Sequence, residues 1–364
     1  MKKLWLLLAL TFSFSSSDTL VVSTENLAIE EGYLMLLGGG ITNEHARFIK
    51  SFLQNQPLLV VPTAFSDTEI NRDKDFGKLR NRFKTLGIDS IQILHTRNRS
   101  VADSRPFVEK INQSNAIFFM GGKTLRILDS CKNTATQIAL QKLLERGGLV
   151  AGVSAGSGCQ ANFFGNQKQL IEGFDFLPKT VVMNHFLKRD KSFTYSTFFK
   201  NNRNYLGLGI DDNTAIVFHK GIGEVLGSSY VAIYDGKYYS RSTDSKVVLA
   251  KNSDRFYFLQ HGDRYDPKTR SVLQNKNLKP IHIPLKEYSG SYYSVTNNYK
   301  VDLNVVKDTL YLKNNWGWKP YPIFPMEKNL FYATNRPTWF RFKRDRLGNI
   351  AWLEKVKSPL AQIP

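Results

Sequence analysis

The sequence has few cysteines and no pattern that would hold a metal ion. Cys131 and Cys159 are the only two cysteines among 364 residues, which is too few for the disulfide framework of a small secreted domain. One bridge between them or two buried free thiols both fit the sequence. No CxxC pair and no His/Cys cluster with metal-ligand spacing occurs, so we expect neither a metal nor a cofactor.

Long apolar runs are also missing, apart from one at the N-terminus. Lys2 and Lys3 precede the apolar run Leu4–Phe14, and small residues follow at 15–17. This is the three-part pattern of a secretory signal, and the run is shorter than the roughly 20 residues of a membrane span. We therefore predict a signal peptide over 1–17, export to the periplasm or beyond, and no stable insertion in the membrane.

Acidic residues are scarce relative to basic ones, 31 against 50, and the formal net charge is +19. The excess is scattered along the chain, and no recognised nucleic-acid module accompanies it. We interpret it as the basic surface of an exported protein and expect no nucleic-acid partner. With 42% hydrophobic and 13% aromatic residues, the chain is not a disordered polymer.

Apolar runs alternate with helical stretches from about residue 32 to residue 214. This alternation predicts an α/β fold with a doubly wound, mostly parallel sheet flanked by helices. Ligand sites in such sheets lie outside the carboxyl ends of the strands. Functional residues are therefore expected directly after the predicted strands.

The later part of the chain has a different texture. Short aromatic alternations after residue 221 predict strands that complete the first domain, and the proline-punctuated stretch 267–284 reads as a linker. Beyond it, a run of hairpin patterns predicts a small all-β domain. The predicted domains are 18–266 for the α/β unit and 285–364 for the β unit.

The clearest chemical motif is Gly152-Val153-Ser154-Ala155-Gly156, which has the G-x-S-x-G spacing of a nucleophile elbow. A serine on a tight strand-to-helix turn presents its hydroxyl to substrate, and the backbone N–H of Ala155 can stabilise an oxyanion. Gly122 follows another predicted strand and can supply the second N–H. A glycine-flanked serine in a plain structural turn has the same pattern.

A nucleophilic serine needs a base, and the base needs an orienting acid. His185 follows the strand-like TVVM and is the best-placed histidine, ahead of His45 and His95. For the acid, Glu172 lies between the serine and the histidine in sequence. The pair Asp211 and Asp212 is the second choice.

Several sequence blocks together are similar to the cyanophycinase-like members of the S51 serine peptidases. They occur in family order over about residues 32–236, and they are LLGGG (36–40), VVPTA (60–64), FFMGGK (118–123), AGVSAGSG (151–158), VVMNHF (181–186) and GLGIDDNTAIV (207–217). The resemblance implies a fold related to class I glutamine amidotransferases. It also implies a Ser-His-Glu hydrolase with Ser154 as nucleophile, His185 as base and Glu172 as acid, and oxyanion contacts at Gly122 and Ala155.

This chain departs from the family pattern around the expected substrate pocket. Lys123 stands where cyanophycin-cleaving members carry an acid or an amide, and Met183 stands where they carry an aspartate. We expect Lys123, Asn184 and Arg189 to contact substrate, and the changes favour a substrate other than cyanophycin. The C-terminal β unit resembles accessory modules of exported hydrolases.

The leading prediction is an exported serine peptidase or amidohydrolase that cleaves peptide or isopeptide bonds. A carboxylic-ester hydrolase shares the G-x-S-x-G motif and the order Ser, Glu, His. A peptide-binding protein that has lost turnover would also keep the fold. A homodimer is an open option for the assembly.

Overall fold

The structure is a computed structural model that describes residues 29–166, 169–240, 245–248, 256–273, 283–294, 299–307, 309–315, 317, 319–333 and 338–356. The predicted signal peptide over 1–17 lies outside these residues. In the part of the chain so described, no helix is long and apolar enough to cross a membrane.

The first elements alternate in the predicted way: β1 (Tyr33–Leu37), α1 (Asn43–Lys50), β2 (Leu58–Val61), α2 (Asp67–Arg72), α3 (Gly77–Thr85), β3 (Ile91–Ile93), α4 (Arg99–Ala102), α5 (Arg105–Asn112), β4 (Ala116–Phe119), α6 (Thr124–Cys131), α7 (Ala135–Glu145), β5 (Leu149–Val153) and α8 (Ala155–Gly158). Strands then dominate: β6 (Ala161–Asn166), β7 (Gln169–Glu172), β8 (Leu177–Asn184), α9 (Ser192–Asn201), β9 (Leu206–Ile210), β10 (Thr214–His219), β11 (Ile222–Gly227), β12 (Tyr230–Tyr234), β13 (Lys237–Ser240), β14 (Ser245–Val248), β15 (Tyr257–Gln260), β16 (Arg264–Asp266) and β17 (Ser271–Leu273). The C-terminal part comprises the 3-10 helix η1 (Leu285–Tyr288), β18 (Gly290–Ser294), β19 (Tyr299–Val306), β20 (Thr309–Asn314), β21 (Tyr321–Glu327), β22 (Leu330–Ala333), β23 (Thr338–Arg344) and β24 (Ile350–Val356).

A nine-stranded sheet in the order β17-β16-β11-β10-β1-β5-β4-β2-β3 forms the first layer. Strands β1, β5, β4, β2 and β3 are parallel to one another. Alternate residues of β1 enter two different apolar clusters, Leu34 and Leu36 in one and Met35 and Leu37 in the other, because successive side chains point to opposite faces. The sheet is thus covered on both faces, and the predicted α/β class is confirmed.

A second sheet has six strands in the order β15-β12-β9-β8-β6-β7. The sequence predicted one sheet in place of these two. The centre of the second sheet is parallel, since β6 pairs with β8 and β8 with β9 in the same direction. The edge strand β7 runs antiparallel to β6. The carboxyl ends of β8 and β9 therefore lie together at one end of this sheet, whereas the carboxyl end of β7 lies at the opposite end.

The C-terminal β unit is a closed barrel of β18 to β24, as the hairpin patterns predict. Its interior holds a separate apolar cluster that includes Tyr288, Leu312, Phe331 and Phe342. Since alternate residues of each strand point inward, the barrel has its own core. Tyr288 of η1 is fully buried in that core.

The barrel packs on the second sheet through aromatic side chains. Phe258 of β15 lies 5.6 Å from Trp339 and 5.0 Å from Tyr332 between ring centroids. The Tyr332 hydroxyl donates a hydrogen bond of 2.7 Å to the carbonyl oxygen of Phe256. These contacts join the two units into one apolar cluster.

The predicted linker begins too early. Residues Ser271–Leu273 form β17 and pair with β16, so the first sheet continues past the expected boundary at residue 266. The prolines and lysines of this stretch suggested a linker, but Asp266 organises a tight hairpin: its carboxylate accepts from the N–H groups of Lys268 and Thr269 and from the Thr269 hydroxyl. Residues 274–282 lie outside the described residues.

The aromatic contact between barrel and sheet gives a stability test. Replacing Trp339 with alanine should lower the free energy of unfolding by about 3–5 kcal/mol, since the ring is only 2% exposed and a large cavity would remain. The control is Trp352→Ala, because Trp352 is 42% exposed on the same barrel and should cost under about 1 kcal/mol. Urea unfolding of both variants measures the difference, and equal losses would contradict the assigned packing.

Candidate active site

Ser154 lies on a strained turn between the central strand β5 and the short helix α8. Its backbone angles are φ 53° and ψ −113°, a combination that a serine rarely adopts. The turn is held by backbone contacts: the Ser154 N–H donates to the Leu37 carbonyl at 2.9 Å, and its carbonyl accepts from the N–H groups of Ser157 and Gly158. The predicted elbow is therefore present.

The two glycines of G-x-S-x-G have a steric reason. A Cβ on Gly152 would lie 2.1 Å from the carbonyl oxygen of Gly156, and a Cβ on Gly156 would lie 2.2 Å from the carbonyl oxygen of Phe119. Real Cβ atoms do not approach oxygen so closely. Any larger residue at either position would displace the turn that carries Ser154.

His185 follows β8 and reaches across to the serine. Its Nε2 lies 2.8 Å from Ser154 Oγ, although the two residues belong to different sheets. His185 has a positive φ of 55°, and the chain after it turns back so that the Arg189 N–H donates to the His185 carbonyl. The predicted pairing of this serine with this histidine is present in the structure.

The carboxylate on the far side of the imidazole belongs to Asp212. Asp212 Oδ1 lies 2.5 Å from His185 Nδ1. Residue 212 follows β9, and Asn184 of β8 pairs with Ile210 of β9 in parallel register. His185 and Asp212 thus follow neighbouring strands at the same end of the second sheet.

Gly39 makes room for this pair. Gly39 forms an isolated bridge with Asp212, and a Cβ on it would lie 2.2 Å from Asp212 Oδ1 and 2.5 Å from His185 Nδ1. The glycine that follows β1 therefore lets His185 and Asp212, which follow strands of the second sheet, pack directly against the first sheet. The sequence alone assigns no role to Gly39, which belongs to the LLGGG block (36–40).

The assignment of Glu172 as the acid on His185 needs correction. Glu172 lies at the end of β7 and pairs with Lys132, with Oε2 2.9 Å from Nζ. Because β7 runs antiparallel to β6, its carboxyl end lies at the opposite end of the sheet from the carboxyl ends of β8 and β9. Position in the chain between Ser154 and His185 favoured Glu172, but proximity in the sheet favours Asp212.

Asp211, named with Asp212 as the second choice, has a separate task. Its side chain is fully buried and accepts from the backbone N–H groups of Leu187 and Lys188, each at 2.9 Å, and from the Ser229 hydroxyl at 2.7 Å. It thereby anchors the turn that follows His185. Asp211 thus holds the turn after His185, and Asp212 contacts the imidazole.

Gly121 and Gly122 lie beside the nucleophile. A Cβ on Gly121 would lie 3.2 Å from the Ser154 Cβ, and Gly122 has a φ of +143° that favours glycine. The N–H of Ala155 is the first in its helix and has no intrahelical acceptor. Gly121 therefore lies against Ser154, and Gly122 and Ala155 are the next residues along the chain from these two.

The three residues expected to contact substrate differ in their surroundings. Lys123 and Arg189 are exposed, and the Lys123 N–H donates to the Ala64 carbonyl at 2.9 Å. Asn184 instead faces the protein: its Nδ2 donates to the Ser154 carbonyl at 2.7 Å. The amide of Asn184 thus links β8 to the nucleophile turn.

Lys191 supports the end of β8, just before His185. Its Nζ donates to the Asn184 carbonyl at 2.7 Å. Desolvation lowers the pKa of Lys191 to about 8, and the nearby Arg189 charge adds to the effect. Met183, which stands at the family's aspartate position, is buried in the core of the second sheet.

Cys131 and Cys159 are free and buried. Burial raises the pKa of the Cys131 thiol to about 12 and also raises that of Cys159, so neither is a thiolate nucleophile near neutral pH. Across the residues that the structure describes, no group of three or more His, Cys, Asp or Glu side chains is arranged to hold a metal ion.

The fold and site together define a class: an α/β protein with a serine on a strand-to-helix elbow and a histidine–carboxylate pair at the same edge. Within this class, the profile of Peptidase family S51 matches residues 34–225. The match spans more than half of the chain and includes the elbow, the histidine and the aspartate. The chain belongs to peptidase family S51.

The chain is similar in sequence to cyanophycinases and in fold to a solved peptidase structure. The chain is 27% identical over 233 residues to a cyanophycinase of Geminocystis herdmanii, covering 59% of this chain and 84% of the relative. It is 25% identical over 290 residues to a cyanophycinase of Synechococcus elongatus, covering 73% and 88%. The crystal structure of a peptidase from an acI-B1 Actinobacterium matches in fold, with a TM-score of 0.52 and 24% identity, covering 66% of this chain and 98% of that one.

Gly39 offers a test of how tightly the site is packed. Gly39→Ala should lower the reaction rate of Ser154 with a fluorophosphonate probe at least about 100-fold, because the new methyl group overlaps the His185–Asp212 contact and mispositions the base. The control is Gly77→Ala at the start of α3, where a Cβ meets only Asp73 Oδ1, at 3.8 Å. Wild-type labelling of Gly39→Ala would show that this contact is dispensable.

Lys191 predicts a pH dependence of stability. The folded protein releases the Lys191 proton near pH 8, whereas the unfolded chain keeps it to about its ordinary pKa of 10.5. Between these values the unfolded state binds more protons, so Lys191 makes the free energy of unfolding rise with pH. Lys191→Met should flatten that rise, as measured by urea unfolding from pH 8 to 10.5. Lys188→Met, at an exposed position, is the control, and an unchanged slope in Lys191→Met would refute the assignment.

Proposed function

We propose that this protein is a serine peptidase that cleaves peptide or isopeptide bonds with Ser154, His185 and Asp212. The observation that carries the proposal is the continuous hydrogen-bond chain from Asp212 Oδ1 through both imidazole nitrogens to Ser154 Oγ. This is the arrangement that activates a serine in acyl transfer. Membership of a peptidase family supports an amide bond as the target.

The chemistry follows from these contacts. His185 Nε2 takes the proton of Ser154 as Oγ attacks the carbonyl carbon of the scissile bond, while Asp212 holds the Nδ1–H and stabilises the imidazolium. We assign stabilisation of the oxyanion to the backbone N–H groups of Gly122 and Ala155. His185 then gives its proton to the leaving amine, and water releases the acyl group by the reverse sequence.

The substrate is proposed to be a peptide or isopeptide with a carboxylate near the scissile bond. The named relatives are cyanophycinases, and the family resemblance is the reason that isopeptide bonds are included in the proposal. Here, however, Lys123 presents an exposed cation directly after the oxyanion turn, and Met183 is buried. A lysine at this place favours an anionic group, and cyanophycin itself is not the expected substrate.

Export is part of the proposal. The N-terminal pattern over residues 1–17 predicts a signal peptide, and a peptidase that acts outside the cytoplasm meets peptides there as substrates. Secretion of a full-length fusion with an enzymatic reporter, compared with one lacking residues 1–17, tests this independently of catalysis.

The catalytic proposal is tested with a fluorophosphonate probe, which needs an activated serine and no knowledge of the substrate. We expect an adduct on the wild-type peptide that contains Ser154 and none in Ser154→Ala. Asp212→Asn should slow labelling roughly 10³- to 10⁴-fold because the imidazole loses its orienting acceptor. Glu172→Gln should stay within about twofold of wild type.

The outcomes separate the proposal from its rivals. Strong slowing in Glu172→Gln with normal labelling in Asp212→Asn would restore the first assignment of the acid. Absence of any adduct in folded wild-type protein would favour a binding protein without turnover. Labelled protein that hydrolyses p-nitrophenyl esters but no peptide or isopeptide library would favour an ester hydrolase.

A further inference from the structure

The turn that carries Gly122 rests on the loop after β2. A Cβ on Gly122 would lie 2.2 Å from the carbonyl oxygen of Ala64, so the two backbones are in direct contact. The same Ala64 carbonyl accepts the Lys123 N–H at 2.9 Å. The position of this carbonyl therefore sets the orientation of the peptide units on either side of Gly122.

Two arginines hold this loop by its backbone. Arg126 Nη1 donates to the Ala64 carbonyl at 3.2 Å. Arg97 donates to the next carbonyl, that of Phe65, and also pairs with Asp67. The loop closes on itself through a hydrogen bond of 2.9 Å from the Phe65 N–H to the Pro62 carbonyl.

Arg126 is the arginine that contacts the Ala64 carbonyl itself. It is the third residue of α6, the helix that begins directly after Lys123, and its backbone N–H donates to the Lys123 carbonyl at 3.1 Å. Its side chain thus returns to the very carbonyl that braces the Gly122 turn. An oxyanion donor must lie within about 2.7–3.1 Å of the developing charge, so small shifts of this turn matter.

We propose that Arg126 is a positioning residue for the oxyanion site: its guanidinium fixes the Ala64 carbonyl, and this carbonyl fixes the Gly122 turn. The inference rests on the proposed function, since it assigns Arg126 to the same site. Arg126 does not contact the reacting atoms in this role. It acts through the backbone of Ala64 and Gly122.

The test uses three variants of the full mature chain. Arg126→Ala should slow fluorophosphonate labelling of Ser154 about 10- to 100-fold, less than the roughly 10²- to 10³-fold of losing an oxyanion donor. Arg126→Lys should recover part of the rate through a single donor. Arg99→Ala is the matched control, because Arg99 Nη2 donates to a backbone carbonyl, that of Asn133, at 2.9 Å on an exposed surface.

A second readout separates positioning from a general loss of structure. On a cleaved peptide substrate, Arg126→Ala should lower kcat with KM within about twofold, leave the pH profile of His185-dependent activity unchanged, and regain rate with added guanidinium ion. Should Arg126→Ala not fold, as shown by circular dichroism, Arg126→Lys and Arg126→Gln carry the same comparison.

The outcomes distinguish this inference from the proposed function. If wild-type protein is not labelled at Ser154, the proposed function fails. If wild type is labelled and Arg126→Ala or Arg126→Gln is folded and labelled at the wild-type rate, the function stands and the role of Arg126 is overturned. Equal slowing in Arg99→Ala would likewise overturn it.

Discussion

The site depends on a close approach between two sheets that only a residue without a side chain permits. Ser154 ends a strand of the first sheet, whereas His185 and Asp212 end strands of the second. Gly39, at the end of β1, lies against both members of the second-sheet pair, within a distance that any Cβ would occupy. Close packing of this kind tolerates no added methyl group. Ser154 and His185 come within hydrogen-bond distance because Gly39, which follows β1, has no side chain.

Around this contact, polar side chains hold backbone groups in place. Asp211 accepts the N–H groups of the turn after His185, and Asn184 donates to the carbonyl of the strained serine. Each bond fixes one strand end relative to another. A serine with unfavourable backbone angles persists only when its surroundings over-determine it, and these hydrogen bonds contribute to that constraint.

The sequence predicted the parts of the site that depend on local pattern. The alternation of apolar runs with helical stretches predicted the α/β fold, the G-x-S-x-G spacing predicted the elbow at Ser154, and the strand-like TVVM placed His185 at a strand end. Order along the chain and the family resemblance both favoured Glu172, whereas the structure brings Asp212 to His185. Asp212 follows a strand just as His185 does, while Glu172 ends a strand that points away. The split into two sheets was missed, since it depends on long-range strand pairing that residue periodicity does not encode.

The most direct test of the account is the tautomer of His185, measured by nitrogen-15 NMR on histidine-labelled protein, with Asp212→Asn and Glu172→Gln for comparison. The account predicts a proton on Nδ1, hydrogen-bonded to Asp212, and an unprotonated Nε2 facing Ser154, with the Nδ1 signal altered by Asp212→Asn and unaffected by Glu172→Gln. A proton on Nε2 in the wild type, or a signal that responds to Glu172→Gln and not to Asp212→Asn, would contradict it.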